Sequence, residues 1–530
     1  MSFNNVKLII NYVSSFSSIG EVVAGNSREY RQIESIKSVI EDYVDEVVIE
    51  PVEVSTWDEE FCIIYLDDET FRCSIHPPYE GYIDINTSRN NIIYIHDLGS
   101  LNNTNSSLEE KVVVVNGVDD PNYITVYTYI LRRYQPMAII FVDIYEALRR
   151  IVVLDDIISS QKPTKPSSIP VIHIAKNVGR KLLNSKFIHI TAKSVLRFSY
   201  GYNVIAKLNN TSDKYIYITS HHDHWFNGVT DDSVGVALML DIPRNPIIRK
   251  GLREGITLAF FTAEEGFPYP LSSFYWLVGS RKHVTSNANR LLEDVLLVLN
   301  LDVLYKGELR FSTSNLVARG FLVNIGIDTN NLENDSMLFD SFSFTSLGIP
   351  SITIHSYNEV LRNGLYHSTL DTINMIDIDF ISYTLNVIYE LIRNSYIIKS
   401  NIKKFLELGA KTIATEFIET VKPLEVMLNL YRVLRSFLDC LDSNVLINYM
   451  YSFHRIITTT YMSRDVYRGL KVYEETSYIN CKDEYIYLPT DPLFNDADDC
   501  YGNTLFNLES LAYILLKHCK DMVSRGSTTK

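Results

Sequence analysis

At 530 residues the chain is long enough for more than one domain, since a single core seldom grows beyond about 250–300 residues. A hydrophobic fraction of 46% with 21% charged residues is that of a globular protein. The net charge of -15 argues against nucleic acid or an anionic membrane as the main partner.

No apolar run reaches the roughly 18–20 residues that cross a bilayer, and the start, "MSFNNVKLIINYVSSF", has no secretory-signal pattern. The expectation is a soluble, cytoplasmic protein. The six cysteines, at 62, 73, 440, 481, 500 and 519, form no CxxC pair, so no structural zinc motif is visible. Free buried thiols are expected, a Cys62–Cys73 bridge being the alternative.

Along the chain, the first segment reads as helix, turn, helix. "REYRQIESIKSVIEDYV" places Ile33, Ile36, Val39, Ile40 and Val44 near helical spacing, and the extended "EVVIEPVEV" follows. From about Trp57 to Val195 the texture changes to short β-rich runs such as "EKVVVVNGV", "MAIIFVD" and "IPVIHIA", with a Pro/Ser/Lys loop at Ser159–Pro170. This region reads as a separate β-rich insert, 57–195. From about Phe198 to Ile398, the strands "KYIYITS", "ITLAFFTA", "DVLLVLNL" and "IPSITIHS" alternate with helices. That alternation predicts an α/β fold whose mainly parallel, mixed sheet is flanked by helices. After Ser400 the pattern turns helical; in "SNVLINYMYSFHRIIT", Leu446, Tyr449, Met450, Phe453 and Ile457 form one stripe. The expected division is 1–56 with 196–398, then 57–195, then a helical region 399–530.

Acidic and imidazole residues stand where the predicted strands end. "KYIYITS" runs into His221, "ITLAFFTA" into Glu264 and Glu265, and "DVLLVLNL" into Asp302. In open α/β sheets ligands bind beyond the carboxyl ends of the strands, and carboxylates and imidazoles gathered there call for a divalent cation. Period-two alternation puts His221 and Asp223 on one face, with His222 and His224 on the other. His221 then reads as a ligand and Asp223 as the neighbour that orients it. Glu264 and Glu265 are separated by the same alternation: one can ligate while the other takes a proton from water.

Six fragments in order, "HHDHWFNGVTDDSVGVA", "FFTAEE", "WLVGSRKHV", "LNLD", "DSFSFTSLGIPSITI" and "YHSTLDT", resemble the motifs of the co-catalytic di-zinc exopeptidases. That family includes bacterial aminopeptidases and glutamate carboxypeptidase. The resemblance implies two zinc ions, one held by His221, Asp231 and Asp302, the other by Asp231, Glu265 and His367, with Asp231 bridging. It implies Glu264 as general base and Tyr366 as a donor to the tetrahedral oxyanion. Such a ligand set without thiolate also suits manganese or cobalt, so zinc comes from the resemblance. Asp232 departs from the usual Asn or Pro after the bridging aspartate.

The resemblance further implies a protease-associated-type insert, a dimer through the C-terminal helical region, and a peptide substrate cut by an aminopeptidase. Carboxypeptidase action on the same site is the nearest alternative, and it would need a cationic pocket. A non-catalytic receptor-like relative would have lost ligands or the base, and none is missing here. The single-zinc acyl transfer of a glutaminyl cyclase is disfavoured by the second ligand set. Phe267, Tyr269, Phe274, Tyr275 and Trp276 are candidates for the pocket wall.

Overall fold

The computed structural model describes residues 3–96, 108–117, 120–155, 163–313, 315–333, 335–336, 338–345 and 347–418. Among the described residues, fifteen strands fall in two sheets. In chain order they are β1 (Glu46–Leu66), β2 (Glu69–Arg72), β3 (Ser74–Ile75), β4 (Gly81–Ser88), β5 (Ile92–Ile95), β6 (Val112–Asn116), β7 (Ala138–Val142) and β8 (Val171–Ile174). Then come β9 (Phe187–Leu208), β10 (Tyr215–His221), β11 (Gly255–Phe261), β12 (Val295–Leu301), β13 (Arg310–Ser312), β14 (Leu332–Glu333) and β15 (Ser351–His355).

The large sheet has the order β14-β13-β15-β12-β10-β11-β9-β1-β2, with β4 paired to β9. Its centre is parallel, β10 lying between β11 and β12, and β15 beside β12. Strand β11 is buried along its whole length, the signature of a strand covered on both faces. Helices Phe3–Ser17, Val234–Asp241 and Ile378–Asn394 contribute Ile9, Val13, Leu238, Leu385 and Ile388 to the core around Ile216, Ile218, Leu258 and Leu299. A mixed sheet flanked by helices is the expected α/β class, but the expectation of a mainly parallel sheet is corrected. The centre is parallel, whereas the long β1–β9 ladder and the pairings of β2 with β1, of β4 and β11 with β9 and of β13 with β15 are antiparallel.

Strands β1 and β9 pair antiparallel from Glu46–Lys207 to Leu66–Ile188. They therefore run unbroken through positions 57 and 195 and carry the large sheet into the region between them. There a second sheet has the order β3-β8-β7-β6-β5, parallel except at β3. Helices Tyr123–Leu131 and Lys176–Leu182 accompany it. "YITVYTYIL" is rich in β-branched and aromatic residues, which favour strands intrinsically; its Ile124 and Leu131 are buried in the core of that sheet, with Tyr127 packed beside them.

Cys62 and Cys73 form a disulfide, with Cα atoms 5.0 Å apart, which corrects the expectation of free thiols there. They sit across the β1–β2 hairpin, where the Cys73 amide donates to the Cys62 carbonyl at 3.1 Å. Hairpin pairing places the two side chains within bridging range, a proximity that spacing alone does not define.

Of the C-terminal helical region, Ile397–Ser400 and Ile402–Ile418 are helices. The stripe Leu446–Ile457, cysteines 440, 481, 500 and 519, and all of the expected dimer-forming region 399–530 after residue 418 lie outside the described residues. Among the described residues no helix is long and apolar enough to cross a membrane.

Candidate metal centre

The site lies beyond the carboxyl ends of β10, β11 and β12, at the point where the chain crosses from one side of β10 to the other. This is the switch point where open α/β sheets bind ligands. His221 is the last residue of β10, Glu264 and Glu265 follow β11, and Asp302 follows β12. Asp231 stands in the turn before helix Val234–Asp241, and His367 comes from a loop after helix Tyr357–Arg362.

The five predicted ligands meet. His221 Nε2 is 3.2 Å from Asp231 Oδ1 and 3.8 Å from Asp302 Oδ1. His367 Nε2 is 2.8 Å from Glu265 Oε1 and 3.6 Å from Asp231 Oδ2. Two groups of three ligand atoms result, His221–Asp231–Asp302 and Asp231–Glu265–His367, with Asp231 in both and the atoms of each within 4.8 Å of one another. The residues fit a pair of divalent cations on two grounds. His221 Nε2 and Asp231 Oδ2 are buried without a hydrogen bond, and the donors are nitrogen and oxygen throughout.

Electrostatics points the same way. Asp231, Asp232, Glu264, Glu265 and Asp302 are all buried. The ion pairs of Asp231, Glu265 and Asp302 run to the two imidazoles. Burial pushes the Glu264 carboxyl well above its usual range, opposed by His221 and reinforced by Glu265, Asp302 and Asp340. Asp302 is pushed up to about 6, first by burial. Burial opposes the charged form of His221, but the carboxylates of Asp231, Asp302 and Glu264 around it outweigh that and raise its pKa well above the usual value. Buried charges of one sign persist only when paired or bound to a cation.

Supporting contacts set each ligand. The Asp223 carbonyl accepts from His221 Nδ1 at 2.9 Å, leaving Nε2 toward the site. Asp223 thus orients His221 through its main chain, its carboxylate lying 4.0 Å from that nitrogen. The carboxylate instead accepts from the Glu264 and Glu265 amides at 3.1 and 3.2 Å, fixing the turn after β11. Side-chain alternation along a strand carries no information about that role.

Asp371, which motif reading left without a role, accepts from the Thr230 amide at 2.9 and 3.0 Å and so holds the residue before Asp231. Asn300 Nδ2 reaches Asp302 Oδ2 at 3.4 Å. Asp340 is fully buried and feels the charges of His221 and Asp302. It sits at the head of the quoted "DSFSF", the one signal in the sequence that could have marked it. Asp232 turns away from the ligand atoms, accepting from Ser220 Oγ and the Gly235 amide at the start of a helix, where negative charge is favoured. His222 donates to the Tyr202 carbonyl at 3.0 Å, and His224 is buried under Gly228; neither belongs to the ligand groups.

Ala263, Val303 and His367 have φ of 53°, 49° and 50°. The first two adjoin Glu264 and Asp302, and the third is a ligand. Such left-handed residues without glycine are sparsely populated and persist where surroundings over-determine them.

A pocket opens onto Asp231, Glu264, Glu265, Asp302 and His367, walled by Tyr275, Trp276, Val303, Leu338, Phe339, Tyr357 and Tyr366. From the second-sheet region Asn122, Thr125, Ile151, Val152 and Leu154 complete it. Tyr366 stacks on His367 with ring centroids 3.7 Å apart. Of the expected wall residues, Tyr275 and Trp276 line it. Phe267 is instead buried against Trp225, Phe274 packs beneath the Arg281 guanidinium, and Tyr269 is exposed beside Phe198.

Residues 203–392 match the model described as peptidase family M28. The match spans every ligand and agrees with the resemblance carried by the six motifs. Among solved structures, a peptidase M28 precursor from Shewanella amazonensis is similar with a TM-score of 0.58 at 15% identity, over 74% of this chain and 93% of that one. A zinc aminopeptidase from Bacillus subtilis is similar with a TM-score of 0.55 at 19% identity, over 74% of this chain and 94% of that one. These likenesses show the fold. The family match and the ligand cluster together support a metal-dependent peptidase.

Proposed function

We propose that this chain, whose residues 203–392 match a peptidase family, is a two-zinc aminopeptidase. The observation that carries the reading is the pair of three-residue ligand groups sharing Asp231, set in a pocket whose lining, among the described residues, includes no lysine or arginine. Such a lining sets no positive charge against the ammonium of a free peptide N-terminus. A carboxypeptidase would need a cation there for the terminal carboxylate.

His221, Asp231 and Asp302 would hold one ion and Asp231, Glu265 and His367 the other. Two ions so bound polarise the scissile carbonyl and make water more acidic. Glu264 faces the same pocket without belonging to either ligand group, so it is free to take the proton of the attacking water and pass it to the leaving amine. Burial raises the Glu264 proton affinity, which suits a group that must carry a proton between steps. Burial also raises the Tyr366 phenol well above its usual value; it stays protonated and can donate to the developing oxyanion. Asp223 fixes the His221 ring and the Glu264–Glu265 turn. The aromatic and aliphatic wall favours a bulky apolar side chain at the N-terminal residue.

The test is hydrolysis of aminoacyl anilides and dipeptides with and without chelator, comparing N-blocked with C-blocked peptides. The reading expects chelator-sensitive cleavage that tolerates C-terminal but not N-terminal blocking. The reverse blocking pattern would establish the carboxypeptidase instead.

A further inference from the structure

Four of the five ligands hang from the large sheet or the turn beside it, whereas His367 sits on a loop at positive φ. The loop is held from outside, by the second-sheet region. The Arg149 guanidinium, 4% exposed, donates to the carbonyls of Tyr366 and, at 3.2 Å, Gly364. The Arg150 amide donates to the His367 carbonyl at 2.9 Å, and His367 Nδ1 donates to the Arg150 carbonyl at 3.2 Å. Leu148 and Thr369 exchange two further bonds: the Leu148 amide donates to Thr369 Oγ1 at 3.1 Å and the Thr369 amide to the Leu148 carbonyl at 3.0 Å. His367 Nε2 is thereby left to face Glu265 and Asp231.

Both arginines are themselves fixed by buried groups. Asp143 Oδ2 accepts from Arg149 Nε and from His173 Nε2, each at 3.0 Å. His173 Nδ1 lies 3.2 Å from His76 Nε2, and His76 Nδ1 accepts from the Ile151 amide at 2.9 Å. The amide at one end and the carboxylate at the other fix both tautomers, each ring donating toward Asp143. Arg150 is clasped between Glu21 at 3.0 Å and Glu59 at 2.6 Å. None of these residues lies within the stretch that matches the family.

We propose that Arg149 and Arg150 are positioning residues for the His367 side of the metal centre. On that view the segment between β1 and β9 is a working part of the site and more than a pocket wall. This rests on the two-ion reading above. A group that hydrogen-bonds a metal-binding imidazole typically governs affinity by about 10–100-fold, and here the partner is an entire seam.

The experiment is zinc titration of the metal-free full chain by calorimetry, for wild type, Arg149→Met and the milder Thr369→Val, with folding checked by circular dichroism. In Arg149→Met one of the two ions should bind about 10–100-fold more weakly, while the other keeps its wild-type affinity. Thr369→Val should show the same selectivity with a smaller loss. If Arg149→Met does not fold, Thr369→Val decides alone. Two-ion binding that is unchanged in the folded variants, or weakened equally at both sites, overturns the positioning role. A wild-type chain that binds fewer than two ions overturns the reading beneath it instead.

Discussion

Gly320 and Gly409 mark the place where helix Ile402–Ile418 crosses helix Leu316–Asn324. A Cβ built on Gly320 would lie 1.9 Å from the carbonyl oxygen of Phe405 and 2.6 Å from its Cα. One on Gly409 would lie 2.1 Å from the Leu316 carbonyl oxygen. Gly320→Ala sets two effects against each other. Helix propensity favours alanine by about 1 kcal/mol, whereas the obstacle is backbone and cannot rotate away. The helices must part by more than about 1 Å, and such a gap forfeits a quarter to a half of each contact it opens. The contacts include the Phe321–Phe405 ring pair, at 6.0 Å between centroids, and buried Leu406. Overpacking of this kind costs about 1–3 kcal/mol, occasionally more, so the clash wins and a net loss of about 2 kcal/mol is expected. The assays are chemical denaturation and amide hydrogen exchange, in which protection of Ile402–Ile418 should fall first. Stability that is unchanged or raised, as propensity alone would give, refutes the close crossing.

Other consequences are as direct. Glu264→Gln should lower kcat by about 10²–10⁴ while zinc content stays at the wild-type value; full activity would remove Glu264 from the mechanism. Asp143 is pushed up by burial, but the His173 hydrogen bond and the Arg149 charge prevail and hold it at about 2. A depressed carboxylate stabilises the fold above its unfolded pKa, and that stability is lost as pH falls through the folded value. Asp143→Asn should therefore cost about 2 kcal/mol at pH 7 and flatten the stability profile between about pH 4 and 2, measured by denaturant titration at several pH values. Replacing Cys62 and Cys73 by alanine should cost about 2–3 kcal/mol; denaturation midpoints insensitive to this change would show that the bridge does not constrain the chain. Asp371→Asn, which turns one acceptor of the Thr230 amide into a donor, should weaken zinc binding by about 10-fold in a competition titration.

The parallel centre of the sheet and the polar residues at its strand ends were legible because both depend on local pattern, whereas Asp231 and His367 came from the motif resemblance alone. Strands buried on both faces read as apolar runs, and polar residues such as His221, Glu265 and Asp302 stand out where those runs stop. The region between β1 and β9 was less legible for the same reason. "VVVVN" and "AIIFV" announce strands without saying that they are parallel, and the β-branched helix Tyr123–Leu131 follows its packing over its propensity. Contacts across long stretches of chain were not legible at all. Arg149 reaches Tyr366 over 217 positions, and nothing in either segment names the other. Asp223 shows a subtler limit: the residue was identifiable, but its orienting atom is a carbonyl, and side-chain identity is silent about main-chain geometry.

The most direct test of the shared metal centre is anomalous X-ray diffraction at the zinc edge from crystals equilibrated with zinc. Two peaks are expected, about 3.5–4 Å apart and about 2.0–2.2 Å from their ligand atoms. One would be bounded by His221, Asp231 and Asp302, the other by Asp231, Glu265 and His367. A single peak, or zinc bound without Asp231 between two ions, would contradict the account.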